Sequence, residues 1–415
     1  MPDIRDAHLG FTGFTSKRIH LGVSGSVAAY RAPDLLRMWL LAGASVGVTL
    51  TECATRFISG LTFSALGAYP VQSEMFLANA HLQDSQEVFG HLLPGQAASA
   101  FVIAPASATT LARLAHGLAD ELLSCQALAY DGRLLIAPAM NPRMWDNPAN
   151  RANADILVQR GHQIVAPGFG TTACREEGQG RLADVRQIFL YGLKALTGQK
   201  LAGRTALLTI GPTAEPWDDV RIWTNRSSGL MGASLALALW LHGAKVHAVC
   251  GPGVPWLPSE IETSPVQTAR EMFDAAQSLF SWADIAAFTA AVADFSPVRF
   301  GGGKFKKSTV ADEGFAVDFT PNPDIFAALG ARKRPGQLLV GFAAESSELL
   351  ENMRAKMLAK KADLMIGNLI GQPDAAFAAP TNRVEALDAQ GRHELWPLMS
   401  KPDTAWRIVE WLLRL

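Results

Sequence analysis

The stretch IHLGVSGS, residues 19–26, decides the fold class of this chain. Its first five residues are mostly apolar and predict a buried strand. The turn Ser24–Ser26 then leads into a helical pattern from about Val27 to Leu41. Gly43 suits a helix stop, and residues 44–50 predict the next strand. A strand, a glycine turn, a helix and a second strand together form the βαβ unit of a parallel sheet.

Similar units recur along the chain. Apolar strands are predicted at residues 101–104 and 134–137. The pattern restarts with a strand at residues 205–210, a helix at 229–241 and another strand at 245–249. We therefore predict an α/β fold with two doubly wound, Rossmann-like domains.

The chain is long enough for two cores, because its 415 residues exceed what one core usually supports. Apolar residues make up 49% and charged residues 18%, which supplies large cores and argues against disorder. The polar, glycine-punctuated stretch at residues 197–203 marks the boundary. We predict one domain over residues 1–197 and a second over 198–415, closed by an amphipathic helix at 404–415.

Charge and cysteine content exclude several classes of protein. The formal net charge of −1 argues against a generally basic nucleic-acid binder. The first residues lack a long apolar run and no stretch of about 18 apolar residues follows, so we expect neither a secretory signal nor a membrane span. Four scattered cysteines favour free thiols in a reducing cytoplasm over a zinc site or disulfides. They are Cys53, Cys125, Cys174 and Cys250.

The turn after the first strand predicts a phosphate site. Gly25 lets the backbone approach a ligand, and the N–H groups of the following helix favour an anion near Ser26. Taken alone, a purely structural turn is an equal alternative. The turn is not a G-x-G-x-x-G sequence, which disfavours a dinucleotide and favours a mononucleotide.

Two further motifs follow apolar strands. They are PASATT at residues 105–110 and PAMNPRMW at residues 138–145. Open α/β sheets bind ligands beyond the carboxyl ends of their strands, so both motifs are candidates for a site. With these motifs the first half of the chain resembles the flavin-dependent cysteine decarboxylases, a family that includes phosphopantothenoylcysteine decarboxylase. The P-x-M-N-x-x-M-W pattern matches in full, whereas Thr109 stands where the family usually has asparagine.

This resemblance implies a flavodoxin-like domain that binds FMN and decarboxylates 4′-phosphopantothenoylcysteine to 4′-phosphopantetheine. His91 would serve the flavin chemistry as a base or orienting group, which imidazole suits. Taken alone, His91 would be an ordinary packed or surface histidine. The implied cofactor-binding residues are Gly25, Ser26, Thr51, Ser107 and Thr109.

The same resemblance assigns the substrate to Asn141 and Met144. Asn141 would hold the substrate carboxylate by side-chain hydrogen bonds. The alternative is an asparagine that caps a turn before Pro142.

A cysteine loop completes this half. The stretch ACREEGQGR at residues 173–181 is similar to the family's A-C-G-x-x-G-x-G-R loop over the substrate. The resemblance gives Cys174 the role of protonating the reduced intermediate, with an inert cysteine as the alternative. Arg175 replaces the family's glycine, which leaves the loop conformation and the pKa of the thiol open.

The second half carries a longer set of motifs in a fixed order. They are GPTAEP at 211–216, NRSSGLMG at 225–232, AAVADF at 290–295, KFKK at 304–307, NPDI at 322–325 and GFAAE at 341–345. Ser227–Gly229 opens a predicted helix and suits phosphate oxygens, and the lysine run suits a triphosphate. Order and spacing resemble bacterial phosphopantothenoylcysteine synthetase, the ligase that is fused to this decarboxylase in many bacteria.

This second resemblance implies CTP-dependent ligation of 4′-phosphopantothenate with cysteine through an acyl-cytidylate, aided by Mg²⁺ with unknown ligands. Asn225 would stabilise the acyl-cytidylate, and Lys304 would neutralise phosphate charge. The implied substrate residues are Asn225, Ser227, Ser228 and Gly229. The implied CTP residues are Ala290, Asp294, Lys304, Asn322, Pro323, Phe342, Lys356 and Lys360.

Simpler interpretations exist for the charged residues. A lysine run such as 304–307 is usually solvated surface, and Lys356 and Lys360 share a helix face that is ordinarily soluble surface too. Leu230 stands where the ligase family has lysine and cannot neutralise a phosphate. Either that lysine is dispensable or the ligase activity is weaker.

Two other functions compete with the bifunctional enzyme. A flavin-binding regulatory protein, or a homologue with one working site, is kept open by Arg175 and Leu230. A nicotinamide dehydrogenase with two Rossmann domains predicts a G-x-G-x-x-G turn that we do not find. The resemblance further implies a cytoplasmic homo-oligomer, with trimeric flavin domains and dimeric ligase domains combined in a dodecamer. Its partners would be small molecules, and neither nucleic acid nor membrane.

Overall fold

The computed structural model describes residues 4–75, 92–306, 315–371 and 379–415. The chain forms two compact units. The first, called here the N-terminal unit, is Thr12–Gly198. The second, called the C-terminal unit, is Gln199–Leu415 together with the segment up to Phe11.

The N-terminal unit is built on a parallel sheet. Its strands are β1 (Arg18–Val23), β2 (Ser45–Leu50), β3 (Val71–Gln72), β4 (Ala100–Ala106), β5 (Leu134–Pro138) and β6 (Gln163–Ile164). Among the described residues they pair in the order β3-β2-β1-β4-β5-β6, and every pairing is parallel. Strands β4 and β5 are buried along their whole length. Such continuous apolar runs are typical of strands covered on both faces.

Helices flank this sheet, and a hairpin follows it. The helices are α1 (Ala32–Leu41), α2 (Glu52–Thr55), α3 (Gly60–Ala65), α4 (Leu93–Gln96), α5 (Ala108–His116), α6 (Leu122–Leu128), α7 (Pro142–Asp146), α8 (Pro148–Gln159) and α9 (Val185–Leu196). The hairpin consists of β7 (Gly168–Thr171) and β8 (Glu177–Arg181). The predicted helix at 27–41 is in fact a 3-10 helix, Val27–Arg31, followed by α1. Pro33 lies in the first turn of α1, where its missing N–H does no harm.

The strand order reverses between β1 and β4, which opens a crevice at their carboxyl ends. Ser24 ties the two strand ends together. Its Oγ donates to the carbonyl of Pro105 at 2.8 Å and accepts from the N–H of Ser107 at 2.7 Å. Ser24 is buried, so this contact fixes the floor of the crevice.

The C-terminal unit has a larger, mixed sheet. Its strands are β9 (Thr205–Ile210), β12 (Lys245–Cys250), β13 (Glu262–Pro265), β14 (Ile285–Phe288), β17 (Leu338–Glu345), β18 (Leu364–Leu369), β20 (Glu385–Asp388) and β21 (His393–Leu395). The described strands pair in the order β13-β12-β9-β14-β17-β18-β20-β21. Pairing is parallel as far as β18 and antiparallel beyond it.

Short ribbons extend this unit. They are β10 (Ala214–Pro216) with β11 (Ile222–Thr224), β15 (Phe295–Pro297) with β16 (Phe319–Pro321), and β19 (Thr381–Asn382) with β22 (Met399–Ser400). The helices are α10 (Leu230–Leu241), α11 (Ala269–Phe280), α12 (Ile325–Gly330), α13 (Leu349–Lys360) and α14 (Lys401–Leu412). The predicted closing helix is therefore present, but it begins at Lys401 because Ser400 caps it.

Helix α10 is apolar on all sides. All of its residues except Met231 are buried, and it packs against both β9 and α14. A helix with no polar face must be covered all round. The N-terminal segment helps to cover it, since the 3-10 helix Ile4–Leu9 contacts α10 and Phe11 packs edge-on against Trp406.

Within the described part of the chain, no helix is both long enough and apolar enough to cross a membrane.

Candidate active sites in the two units

A cavity of about 1000 Å³ lies in the N-terminal unit at the carboxyl ends of β1 and β5. The hairpin β7–β8 and the turn that joins its strands form its outer wall. It brings together Ser26, Asn141 and Cys174, which lie far apart in the sequence. Its volume is at the upper end of the usual range for cofactor and ligand sites.

Gly25 and Ser26 shape the turn after β1. A Cβ on Gly25 would lie 2.4 Å from the Cβ of Cys53, so close backbone packing excludes a side chain there. Ser26 caps the following 3-10 helix and donates to the carbonyl of Ala139 at 3.2 Å. The turn therefore has a structural function as well as a hydroxyl at the cavity wall.

The remaining predicted cofactor residues stand at neighbouring strand ends. Thr51 follows β2 and caps α2. Ser107 follows β4 and caps α5, accepting from the N–H of Thr110 at 3.3 Å. Thr109 is exposed in the first turn of the same helix. None of these three lines the cavity itself, so they form a polar edge beside it.

The donor set fits a flavin mononucleotide. Hydroxyl groups and helix N-termini at the carboxyl ends of β1, β2 and β4 suit a phosphate. Ala139 and Met140 contribute apolar wall to the adjacent cavity. A mononucleotide needs one phosphate site next to a less polar space, and this edge provides both.

Asn141 has two functions at once. Its Oδ1 accepts from the N–H of Arg143 at 2.8 Å and caps α7, which is the capping role considered from the sequence. Its Nδ2 donates to Cys174 Sγ at 3.0 Å and to Glu176 Oε2 at 2.9 Å. Met144 is exposed and does not line the cavity.

The thiol of Cys174 is exposed in the turn between β7 and β8. Hydrogen bonds from Thr172, and next from Asn141, lower the pKa of Cys174 below its ordinary value. Thr172 Oγ1 lies 3.0 Å from Sγ. A more acidic thiol is a better proton donor and a larger source of thiolate.

Arg175 retains the conformation that glycine would favour. Its φ is 63°, in the left-handed region. A residue with a Cβ is disfavoured there by roughly 1–2 kcal/mol. Its N–H donates to the carbonyl of Thr172 at 2.9 Å, which closes the turn. Arg175 thus adopts a left-handed backbone conformation in a closed turn, although it has a Cβ. His91 lies outside the described residues.

A second cavity, of about 440 Å³, lies in the C-terminal unit at the carboxyl ends of β9, β14 and β17. It unites most of the predicted ligase residues. They are Asn225, Ser227, Ser228, Gly229, Ala290, Asp294, Asn322, Pro323, Phe342 and Lys360.

Two asparagines hold the loop that follows β14. Asn225 Nδ2 donates to the carbonyls of Ala291 and Val292, both at 3.1 Å. Asn322 Nδ2 donates to the carbonyl of Ala293 at 2.8 Å. Both predicted residues therefore shape the cavity wall with the same amide groups that a ligand would meet.

The GPTAEP motif stands behind this wall and does not line the cavity. Thr213 Oγ1 accepts from the N–H of Ala293 at 3.0 Å. The buried carboxylate of Glu215 accepts from Ser296 Oγ at 2.8 Å and from the N–H of Ala269 at 2.9 Å. The motif fixes the loop after β14 and the start of α11.

Helix α10 points its N-terminus at the same cavity. Gly229 has φ 68° and supplies no side-chain cap, so the first N–H groups of the helix are not capped by it. Ser227–Gly229 therefore lies at the start of α10 on the cavity wall, where uncapped helix N–H groups favour an anion. Leu230 is buried in the first turn and lines the cavity as an apolar residue.

The predicted lysines differ in their positions relative to the cavity. Lys360 lines the cavity and pairs with Asp324 at 2.9 Å. Lys356 pairs with Glu345 at 2.5 Å and does not line it. Lys304 is exposed and also lies outside the lining residues. Lys306 is exposed too, and Lys307 lies outside the described residues.

Two residues of this cavity have no counterpart in the sequence predictions. Asn382 is 9% exposed, and its Oδ1 has no hydrogen-bond partner among the described residues. Lys401 is 5% exposed, and burial lowers its pKa to about 8. A lone lysine at a helix start gives no sequence signal, because its burial depends on β19, β22 and α14 packing together.

Among the described residues no three histidine, cysteine or carboxylate side chains are grouped as for a metal ion. The two cavities thus contain polar and charged groups for organic ligands. The fold and sites define a class: an α/β protein with two ligand sites at strand carboxyl ends, one of flavin type and one of nucleotide type.

Comparison with known proteins identifies the family. The chain matches the family models Flavoprotein over residues 13–195 and DNA/pantothenate metabolism flavoprotein C-terminal domain over residues 201–415. It is 37% identical over 399 residues to the Coenzyme A biosynthesis bifunctional protein CoaBC of Bacillus subtilis (strain 168), covering 95% of this chain and 96% of that protein. The CoaBC of Escherichia coli (strain K12) is 35% identical over 376 residues, covering 90% and 91%.

A solved structure adds a further likeness. The crystal structure of the C-terminal domain of a Coenzyme A biosynthesis bifunctional protein CoaBC matches with a TM-score of 0.44 and 30% identity. It covers 52% of this chain and 97% of that domain.

The chain belongs to the family of coenzyme A biosynthesis bifunctional proteins. The predicted resemblance, the α/β fold class and a bifunctional enzyme with decarboxylase and ligase halves are confirmed. The flavoprotein match also supports the predicted FMN.

Proposed function

We propose that the C-terminal unit joins 4′-phosphopantothenate to cysteine with CTP, and that the N-terminal unit decarboxylates the resulting 4′-phosphopantothenoylcysteine. The predicted boundary, residues 1–197 against 198–415, assigns one reaction to each half. The segment up to Phe11 packs with the C-terminal unit, so we place the start of the decarboxylase at about Thr12.

The observation that supports the decarboxylase best is the contact between Asn141 and Cys174. Nδ2 and Sγ lie 3.0 Å apart at the wall of a cavity that is open to a substrate. An amide donor that holds a carboxylate and an acidic thiol that delivers a proton are both useful groups for such a decarboxylation.

Bound FMN would supply the redox chemistry that makes carbon dioxide a leaving group. The chain's own residues orient and protonate. Asn141 would hold the substrate carboxylate, and Cys174 would deliver a proton to the carbon from which the carboxylate has departed. Thr172 and Asn141 favour proton release from that thiol, because they lower its pKa.

In the ligase half, Ser227–Gly229 and the N-terminus of α10 would receive phosphate oxygens of CTP. Asn225 would hold the activated acyl group, and Lys304 would neutralise phosphate charge. Phe342, Asn322 and Lys360 line the rest of the space. Mg²⁺ would enter with the triphosphate, since the metal prefers phosphate oxygens and water.

We further propose a homo-oligomer in the cytoplasm. An exposed apolar face on the ribbons of the C-terminal unit supports assembly. It includes Ile222, Trp223 and Phe295, each 53% exposed. Exposed apolar patches of this kind mark interaction sites in soluble proteins. The four free cysteines suit a reducing compartment.

The variant Asn141→Asp tests the decarboxylase assignment. Aspartate keeps the oxygen that caps α7, but it removes the Nδ2 donor and repels a substrate carboxylate. We expect decarboxylation to fall by roughly a hundredfold or more, as for other lost charge-stabilising donors. Ligation, measured on the same protein as pyrophosphate release, should stay near the wild-type rate. Loss of both activities in a folded, yellow variant would contradict the assignment of one reaction to each half.

A further inference from the structure

The side-chain amide of Asn141 is hydrogen-bonded to the carboxylate of Glu176. Asn141 Nδ2 donates to Glu176 Oε2 at 2.9 Å, and Arg143 Nε lies 3.3 Å from the same oxygen. Nδ2 also donates to Cys174, while Oδ1 accepts from the N–H of Arg143. The chain itself therefore uses both N–H donors of this asparagine.

In this arrangement the side-chain amide of Asn141 already has a partner for each of its two N–H groups. An amide nitrogen has two N–H groups, and here one faces the thiol and the other faces Glu176. If Asn141 receives the substrate carboxylate, as the proposed function requires, one of these donors must first be released. Glu176 presents the same chemical group as the substrate, with the same charge and the same acceptor geometry.

We propose that Glu176 is an internal stand-in for the substrate carboxylate: it holds Asn141 in the free enzyme, yields it when substrate binds, and takes it back after decarboxylation. The inference rests on the proposed function. The product lacks a carboxylate and cannot compete for the amide. The return of Glu176 to Asn141 would therefore promote release of the product rather than release of unreacted substrate.

The side chain of Glu176 can move away from Asn141 while the backbone of the turn stays folded. That backbone is fixed, since the carbonyl of Glu176 accepts from the N–H of Thr172 at 2.9 Å. The side chain of Glu176 is 34% exposed and that of Arg143 is 85% exposed, so both have solvent to move into. A rotamer change alone would separate Glu176 from Asn141 and leave Cys174 in place.

The exchange replaces one carboxylate with another, so the number of hydrogen bonds is conserved. Its effect should appear as competition, which raises the substrate concentration needed for half-saturation. Exposed charged contacts are individually weak, and a competitor held on a mobile side chain should weaken apparent affinity only about three- to fivefold.

The test compares Glu176→Ala with Glu177→Ala in the full-length, FMN-loaded protein. Both variants remove one negative charge from the β7–β8 hairpin, but only Glu176 contacts Asn141. We expect Glu176→Ala to raise kcat/KM for 4′-phosphopantothenoylcysteine about three- to fivefold through a lower KM. Glu177→Ala should leave KM unchanged. The flavin absorption spectrum and the melting temperature check that both variants fold.

A binding measurement separates competition from a general change in the loop. Glu176→Ala should leave the affinity for 4′-phosphopantetheine, which has no carboxylate, unchanged. An unchanged or higher KM, a lower kcat, or equal tightening of the product would each overturn the stand-in role. If the wild-type protein does not decarboxylate its substrate at all, the proposed function fails and this inference fails with it.

Discussion

The two cavities are assembled in different ways. In the N-terminal unit, Asn141 Nδ2 contacts both Cys174 Sγ and Glu176 Oε2 within 3.0 Å. In the C-terminal unit, the lining residues come from positions between Thr209 and Lys401, at several strand ends and helix starts. One site is thus a local cluster of side chains, and the other is a wall made by many strand ends.

The two sites also differ in the exposure of their charged side chains. The N-terminal site places Glu176 beside Arg143, and both have access to water. The C-terminal site places Lys401 in the interior, whereas Lys304 remains outside the cavity. Burying a lysine is costly, because desolvation disfavours its charged form.

The largest effect we expect is from Lys304→Gln. A triphosphate and a substrate carboxylate repel each other, and loss of one fixed cation should slow acyl-cytidylate formation roughly a hundredfold. The measurement is pyrophosphate release with CTP and 4′-phosphopantothenate, with and without cysteine. Lys245→Gln is the control, since Lys245 is exposed and pairs with Glu262. Near-native release would show that Lys304 is only solvated surface, and the cavity alone would then carry the nucleotide.

Lys401→Met should affect stability and binding in opposite directions. Burial lowers the pKa of Lys401 from 10.5 to about 8, so at pH 7 the folded state carries a disfavoured charge. Removing it should raise the free energy of unfolding at pH 7, because desolvation disfavours the charged form of a buried lysine. CTP binding should weaken.

The free energy of unfolding should depend on pH because of Lys401. Between about pH 8 and 10.5 the unfolded lysine still binds a proton that the folded one has lost. The contribution of Lys401 to the free energy of unfolding therefore rises with pH over this range. Urea denaturation at pH 7 and 9.5 measures it, and Lys401→Met should lack this part of the rise. A less stable variant at pH 7 would mean that Lys401 is a structural residue.

A smaller effect is expected from Thr172→Val. Loss of the hydroxyl removes the main hydrogen bond that lowers the pKa of Cys174. The thiolate fraction at pH 7.5 should fall, and alkylation by iodoacetamide should slow several-fold. Cys53, which is also exposed, provides an internal reference on the same chain. Thr172→Ser keeps the hydroxyl and should react as the wild type does; equal rates in all three proteins would remove Thr172 from the control of this thiol.

The smallest effect is expected from Arg175→Gly. Glycine relieves the left-handed strain at φ 63° but adds freedom to the unfolded chain. These contributions oppose each other, so the free energy of unfolding should change by less than about 1 kcal/mol. The alkylation rate of Cys174 should stay the same. A large change in either would show that the arginine side chain itself stabilises the turn.

Much of the fold could be predicted from local patterns. The strand at 205–210 is observed with these bounds, and the strands near residues 19, 101 and 134 differ by a residue or two at their ends. Apolar runs and glycine turns are short-range signals, which explains this agreement. The helix at 27–41 was less regular than predicted, because the turn at Ser26 first forms a 3-10 helix.

The candidate sites were predictable to different extents. Asn141 and Cys174 lie in contiguous motifs, and their contact follows from a hairpin that folds back over α7. Glu176 lies in the same motif but gave no separate signal. Asn382 and Lys401 belong to no motif at all, although both line the C-terminal cavity. His91 and Lys307 lie outside the described residues, so their roles stay predictions.

By itself, the sequence determined the alternation of strands and helices, the turns at strand ends and the residue types that can bind phosphate, carboxylate and thiol partners. These features depend on neighbours within a few positions. The packing of strands and helices places Glu176 against Asn141, buries Lys401 at the C-terminal cavity and leaves Lys304 exposed. Such contacts depend on strand order and helix packing, which join residues far apart in the chain and leave no local pattern.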